Sequence, residues 1–216
     1  ALPICLLVFL GRHSFFIRER FFKVICNERI AEIPLIISSI TMSQAKILDV
    51  GSDESLMPLH LAALGYRVTA FDLNFYEYKH PYVTFLQGDV CTAMLPKESF
   101  DYVTFLSTLE HVGLGAYGEK QFERGDEQAL KNVYDSLKPG GKLIVSVPFG
   151  KKEVSRTQRV YDRQDMLQVA KQYTLETARF FIGKDQSFWQ ECEEKDLAEV
   201  SSYQFTQGMG FFVFRK

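Results

Sequence analysis

Asp72 closes an apolar, strand-like run (Tyr66–Asp72) about 20 residues beyond the glycine of the turn Gly51–Ser55. An ionised carboxylate at that distance accepts two hydrogen bonds from a vicinal diol, the arrangement that holds a ribose at a sheet edge. The plain alternative is a solvated strand-end aspartate or a helix cap. The turn reads GSDES, with a single glycine where a dinucleotide fingerprint has several. Asp53 and Glu54 within it would repel a pyrophosphate. A ligand carrying a sulfonium cation and an amino group tolerates such neighbours, so NAD-dependent oxidoreduction is the lesser reading.

Polar or small residues also follow other apolar runs, at Gly88–Val90 and at Ser107–His111. His111 carries an imidazole, the side chain most often used as a general base, and suits one that takes a proton from a hydroxyl. The alternative is that Glu110 and His111 only shape their loop or contact a cofactor. Tyr117 lies in the glycine-rich segment Gly113–Asp126, which is suited to closing over a substrate. There Tyr117 would orient a hydroxyl or simply pack. Lys151, Lys152, Arg156, Arg159 and Arg163 form a basic run that reads as a solvated face, with a grip on phosphate as the functional alternative.

These residues need a frame that brings them together, and the chain supplies one. Strands are expected at Lys46–Val50, Tyr66–Asp72, Val83–Asp89, Phe100–Ser107, Lys142–Pro148 and Tyr173–Phe181, with MGFFVFRK as the last. Helices are expected at Leu56–Leu64, about Asp126–Leu137, Asp162–Gln172 and Glu191–Val200, the third capped by Asp162. The turn Lys138–Gly141 separates helix from strand. This alternation predicts a doubly wound, mostly parallel α/β sheet with ligands beyond its carboxyl edge. Residues 1–44 read as an N-terminal helical extension packed on a domain of residues 45–216, with Pro34 dividing two helical pieces. The apolar start, ALPICLLVFLG, is too short to span a bilayer and reads as a packing or interface segment, so no transmembrane segment is expected.

Composition excludes several classes. Apolar residues are 46% of the 216 and charged residues 24%, a balance that folds rather than stays disordered. The net charge of −2 gives no basic field for nucleic acid. The cysteines (Cys5, Cys26, Cys91, Cys192) and histidines (His13, His60, His80, His111) are too dispersed for a zinc site or a disulfide framework. No metal is therefore expected, and a cytoplasmic setting is.

ILDVGSDES, TAFDLN, QGDV, FDYVTFLSTLEHV and LKPGGKLIVSVP occur in the order found in class I methyltransferases, and the chain resembles that family over most of Lys46–Pro148. The resemblance implies a Rossmann-like, seven-stranded sheet, S-adenosylmethionine as cofactor and a small-molecule acceptor. It implies that Asp49, Gly51 and Ser52 border the methionine end, Asp72 and Leu73 the ribose, Asp89 and Val90 the adenine, and Ser107 the methionine amine. Asp53 and Ser55 stand where the family's later glycines fall, which leaves a degenerate binding scaffold as an alternative. NERIAEIPLI, EHVGLGAYG and VPFGKK with RVYD are similar to a subset associated with sugar or surface-glycan biosynthesis.

Overall fold

The computed structural model describes residues 26–184, 188–201 and 206–216. The apolar segment at residues 1–11 and the rest of the expected N-terminal helical extension as far as residue 25 lie outside them. The first described element is α1 (Arg29–Ser39). Then come β1 (Lys46–Val50), α2 (Met57–Ala63), β2 (Arg67–Asp72), β3 (Val83–Gln87) and β4 (Phe100–Leu106). After a 3-10 turn at Leu109–His111 follow α3 (Gly125–Ser136) and β5 (Leu137–Pro148). A short ribbon, β6 (Glu153–Val154) and β7 (Arg159–Val160), precedes α4 (Arg163–Val169). The chain continues through β8 (Thr174–Lys184), β9 (Phe188–Cys192) and β10 (Thr206–Arg215).

The main sheet has the order β3-β2-β1-β4-β5-β10-β8-β9. Its first five strands run parallel, and β10 lies antiparallel between β5 and β8. Alternation along the strands sorts side chains to two layers. In β1, Leu48 and Val50 join one core with Phe105, Leu130, Val133 and Phe212. Ile47 joins the other with Leu35, Ile36, Leu61, Tyr102 and Phe211. The sequence winds outward in both directions from β1 and β4, so the switch point falls between their carboxyl ends.

Four expectations change. The sheet has eight strands rather than seven, because β9 adds an antiparallel edge to β8. The expected helix Glu191–Val200 begins inside that strand and reduces to a 3-10 turn, Glu194–Leu197. Aromatic Phe188 and Trp189 favour the strand, and Glu191 pairs in two hydrogen bonds with Arg179 across it. The Lys138–Gly141 turn lies within β5, where Leu137 already pairs with Phe100 before the register shifts. Pro34 sits inside α1 instead of dividing it. Leu35 and Ile36 are buried against the sheet, so packing outweighs the hydrogen bond that proline removes. Asp162 does cap α4, accepting from the Asp165 amide at 2.8 Å. Among the described residues, no helix is long and apolar enough to cross a membrane.

Candidate functional site

A cavity of about 730 Å³ opens at the switch point, lined from the carboxyl ends of β1, β2 and β4. Gly51 lines it with φ +81°, a conformation that favours glycine. A Cβ there would fall 2.2 Å from Thr108 Oγ1, so glycine also admits the β4 loop. Asp53 and Ser55, at the altered glycine positions, do not share that backbone. Besides glycines, only Gln44, Glu98 and Ser107 have positive φ among the described residues. Instead both residues brace the loop. The Asp53 N–H donates to Asp72 Oδ2 at 3.1 Å, and Asn74 Nδ2 donates to Asp53 Oδ2 at 3.1 Å. Ser55 Oγ accepts from the Met57 amide, and its carbonyl accepts from the Tyr76 hydroxyl.

Asp72, Leu73, Asp89, Val90 and Ser107 all line the cavity, as does His111. Asp72 Oδ1 accepts from the Asn74 amide at 2.9 Å, which leaves further lone pairs for a ligand. Asp89 Oδ1 accepts from the Cys91 amide at 2.8 Å. Asp49 and Ser52 are buried and do not line the cavity. Asp49 accepts from Thr104 Oγ1 at 2.6 Å, and burial pushes its carboxyl up to about 7 against that hydrogen bond. The Ser52 hydroxyl is buried with no partner among the described residues.

Two residues at or behind the cavity wall escaped the sequence reading. Arg29, from the first turn of α1, lines the cavity. Its guanidinium donates to Glu32 Oε2 at 2.7 Å and to the Leu106 carbonyl at 3.2 Å. Glu32 is buried and accepts from Ser107 Oγ at 2.6 Å. Burial raises its carboxyl above the usual range despite Arg29 and Ser107. The available signal was Arg29-x-x-Glu32, an i,i+3 ion pair on a helix ahead of the first strand.

The Glu110–His111 pair sits on the 3-10 turn after β4. His111 Nδ1 lies 2.5 Å from the Thr157 carbonyl, and its ring meets the Tyr117 ring edge-on at 5.3 Å. Its Nε2 is 3.7 Å from Glu110 Oε1. Glu110 is fully enclosed, and burial lifts its carboxyl well above the carboxylate range. Tyr117 is exposed at the cavity rim. Its loop is ordered by Glu119, which accepts from the Gly115, Ala116 and Tyr117 amides. Partial desolvation raises the Glu119 carboxyl, but these amides outweigh it and hold it below the usual range.

The basic run does not converge. Arg159 is buried and donates to the Val112 carbonyl at 2.8 Å, bracing the Glu110–His111 turn from below. Lys152 pairs with Asp165 and Arg163 with Glu194.

The cavity wall thus sets five carboxylates (Asp53, Glu54, Asp72, Asp89, Glu119) against the guanidinium of Arg29. That donor set suits a ligand with a cation, a diol and an amine, and repels a pyrophosphate.

Residues 48–145 match a family described as a methyltransferase domain. A ubiquinone biosynthesis O-methyltransferase of Rickettsia akari (strain Hartford) is 26% identical over 129 residues, covering 56% of this chain and 44% of that protein. The chain therefore spans less than half the length of that curated relative. A SAM-dependent methyltransferase structure from Methanosarcina mazei matches with TM-score 0.61 and 15% identity, over 84% of this chain and 96% of that one. The 1,6-didemethyltoxoflavin-N1-methyltransferase of Burkholderia thailandensis, solved with 1,6-didemethyltoxoflavin and S-adenosylhomocysteine, matches with TM-score 0.62 and 15% identity. That match covers 100% of this chain and 91% of that one. At these identities the two structures establish the fold alone.

Proposed function

We propose, from the premise that this chain carries a class I S-adenosylmethionine-dependent methyltransferase domain, that it methylates a hydroxyl of a small molecule. The observation that carries the reading is the carboxylate-lined cavity at the switch point, with Asp72 at one side and His111 at the other. An oxygen acceptor is supported by the O-methyltransferase relative. A sugar or glycan-precursor hydroxyl is the finer reading, supported by the segments NERIAEIPLI and EHVGLGAYG.

Asp72 would hold the ribose diol, with Leu73 beside it, while Asp89 and the Val90 amide hold the adenine. Gly51 and Ser107 would meet the methionine amine through their backbones, and Arg29 would pair with the methionine carboxylate. Asp49 and Ser52 support this end from beneath rather than touching it. When bound, S-adenosylmethionine supplies an electrophilic methyl group on a sulfonium.

The chain's task is then to align the hydroxyl, exclude water and remove a proton. The His111 Nδ1 contact with the Thr157 carbonyl fixes the tautomer whose Nε2 lone pair is free. That nitrogen is the base, and Tyr117 helps to orient the hydroxyl from the rim. Glu110 is the weaker candidate for the base, because its side chain is buried away from the cavity and burial raises its carboxyl.

The braced Asp53 and Ser55 loop favours a competent site over a degenerate scaffold. Calorimetric titration with S-adenosylmethionine, S-adenosylhomocysteine and NAD tests the reading. Micromolar binding of the first two with none of NAD is expected. Tighter binding of NAD would overturn it.

A further inference from the structure

Glu32 is fully buried on α1 and does not line the cavity, yet it is bonded to two residues that do. Its Oε2 accepts from the Arg29 guanidinium at 2.7 Å, and its Oε1 accepts from Ser107 Oγ at 2.6 Å. The Ser146 hydroxyl, itself buried, donates to the same carboxyl. All three neighbours act as donors here, and the group that satisfies them together is a carboxylate. Taking that charge out of water is costly. Docking of α1 does not demand it, since Leu35 and Ile36 already pack the helix on the sheet. What distinguishes a carboxylate at this position is what it holds.

Ser107 stands at φ +43°, in the left-handed region that a serine seldom enters. Such a conformation persists where the surroundings fix it several times over. The Ser107 amide donates to the Ser146 carbonyl and to Ser146 Oγ, each at 3.2 Å, and its hydroxyl is tied to Glu32. Arg29 is fixed in the same manner, between Glu32 Oε2 and the Leu106 carbonyl. One buried group thereby sets the spacing between a cavity guanidinium and the backbone just after β4.

We propose that Glu32 is a positioning residue for the amino-acid end of the methyl donor, fixing Arg29 for its carboxylate and the Ser107 backbone for its amine. The assignment rests on the methyl-donor reading above and deepens it by naming the residue that preorganises one end of the site. Being buried, Glu32 acts through these two neighbours. The adenosine end falls to Asp72 and Asp89 and does not depend on it.

The test titrates the full chain with S-adenosylhomocysteine and with methylthioadenosine. Both ligands carry the adenosine and a thioether, and only the first carries the amino-acid end. The parent is expected to prefer S-adenosylhomocysteine by about tenfold or more, the equivalent of one charge-assisted contact. Glu32→Ala should lower S-adenosylhomocysteine affinity about tenfold while methylthioadenosine affinity stays put. Ser107→Ala removes one arm of the bridge and should cost less, again for S-adenosylhomocysteine alone. With Glu32 already replaced, Ser107→Ala should add little, because the bridge is already gone. A merely structural role weakens both ligands together, and that result overturns the proposal. So does an unchanged preference in either single variant, or full additivity in the double variant. Should Glu32→Ala not fold, the preference of Ser107→Ala decides. A parent that binds both ligands alike overturns the positioning role and leaves the adenosine site standing. A parent that binds neither counts against the methyl-donor reading itself.

Discussion

The main-chain N–H of Asp53 donates to Asp72 Oδ2 at 3.1 Å, tying the turn after β1 to the end of β2. One carboxylate therefore shapes the loop and faces the cavity together. Asp72→Ala is expected to weaken S-adenosylhomocysteine binding at least tenfold, since a hydrogen bond to a charged group contributes about 1.5–3 kcal/mol. Asp89→Ala should lose less, because only the adenine end is affected. Calorimetry on both variants decides, and parental affinity in Asp72→Ala would remove the ribose assignment.

Gly51 is constrained twice, by its φ of +81° and by the Thr108 side chain against its Hα face. Gly51→Ala should cost about 1–3 kcal/mol of stability, from strain and overpacking together. Urea unfolding midpoints measure it. Adding Thr108→Gly should restore only the steric part, so full recovery would show that backbone strain is negligible here.

Strand ends were the legible part of this site. Asp72, Asp89 and Ser107 follow apolar runs, and the topology alone delivers them to one edge. Arg29 and Glu32 were hidden because they arrive from α1, whose docking over β4 depends on long-range packing of Leu35 and Ile36. Arg159 was misread for a related reason. A charge run in sequence does not reveal which member turns inward, and this one pairs with backbone carbonyls under the His111 turn. Strand β9 was missed because Glu191 and Glu193 gave the segment a helical look, while the aromatic pair before them formed the edge strand.

Asp49 carries a signed pH dependence. Burial raises its carboxyl from 3.8 to about 7, so between those values the folded chain holds a proton that the unfolded chain has released. The stability term from this group therefore falls as pH rises through that window, and is least favourable above it. Asp49→Asn keeps an acceptor for Thr104 Oγ1 and removes the buried charge. The variant should be more stable than the parent by on the order of 1–3 kcal/mol at pH 8, with the gain fading toward pH 4. Equal unfolding midpoints across that range would contradict it.

Metal dependence can be tested directly. Among the described residues, no three His, Cys, Asp or Glu side chains gather as ligands. Turnover should persist in EDTA. A loss that magnesium restores would defeat the expectation.

His111 separates chemistry from architecture. Its Nδ1 is committed to the Thr157 carbonyl, so Nε2 is the nitrogen that can take a proton. Turnover is read by methyl transfer from labelled S-adenosylmethionine to the acceptor that gains label fastest. If Nε2 is the base, His111→Ala should lower turnover by about 10²–10⁴. S-adenosylhomocysteine affinity should barely move, because proton removal belongs to the transition state and cofactor binding precedes it. The acidic limb of the pH–rate profile should vanish with the imidazole. A structural role predicts the reverse: weaker cofactor binding, with turnover kept at saturating donor, since the same ring packs against Tyr117 at the cavity rim. Near-parental turnover in His111→Ala would end the base assignment and pass it to Tyr117, whose hydroxyl would then have to act at the rim. Glu110 is the poorer heir, because its side chain is buried and does not line the cavity at the switch point.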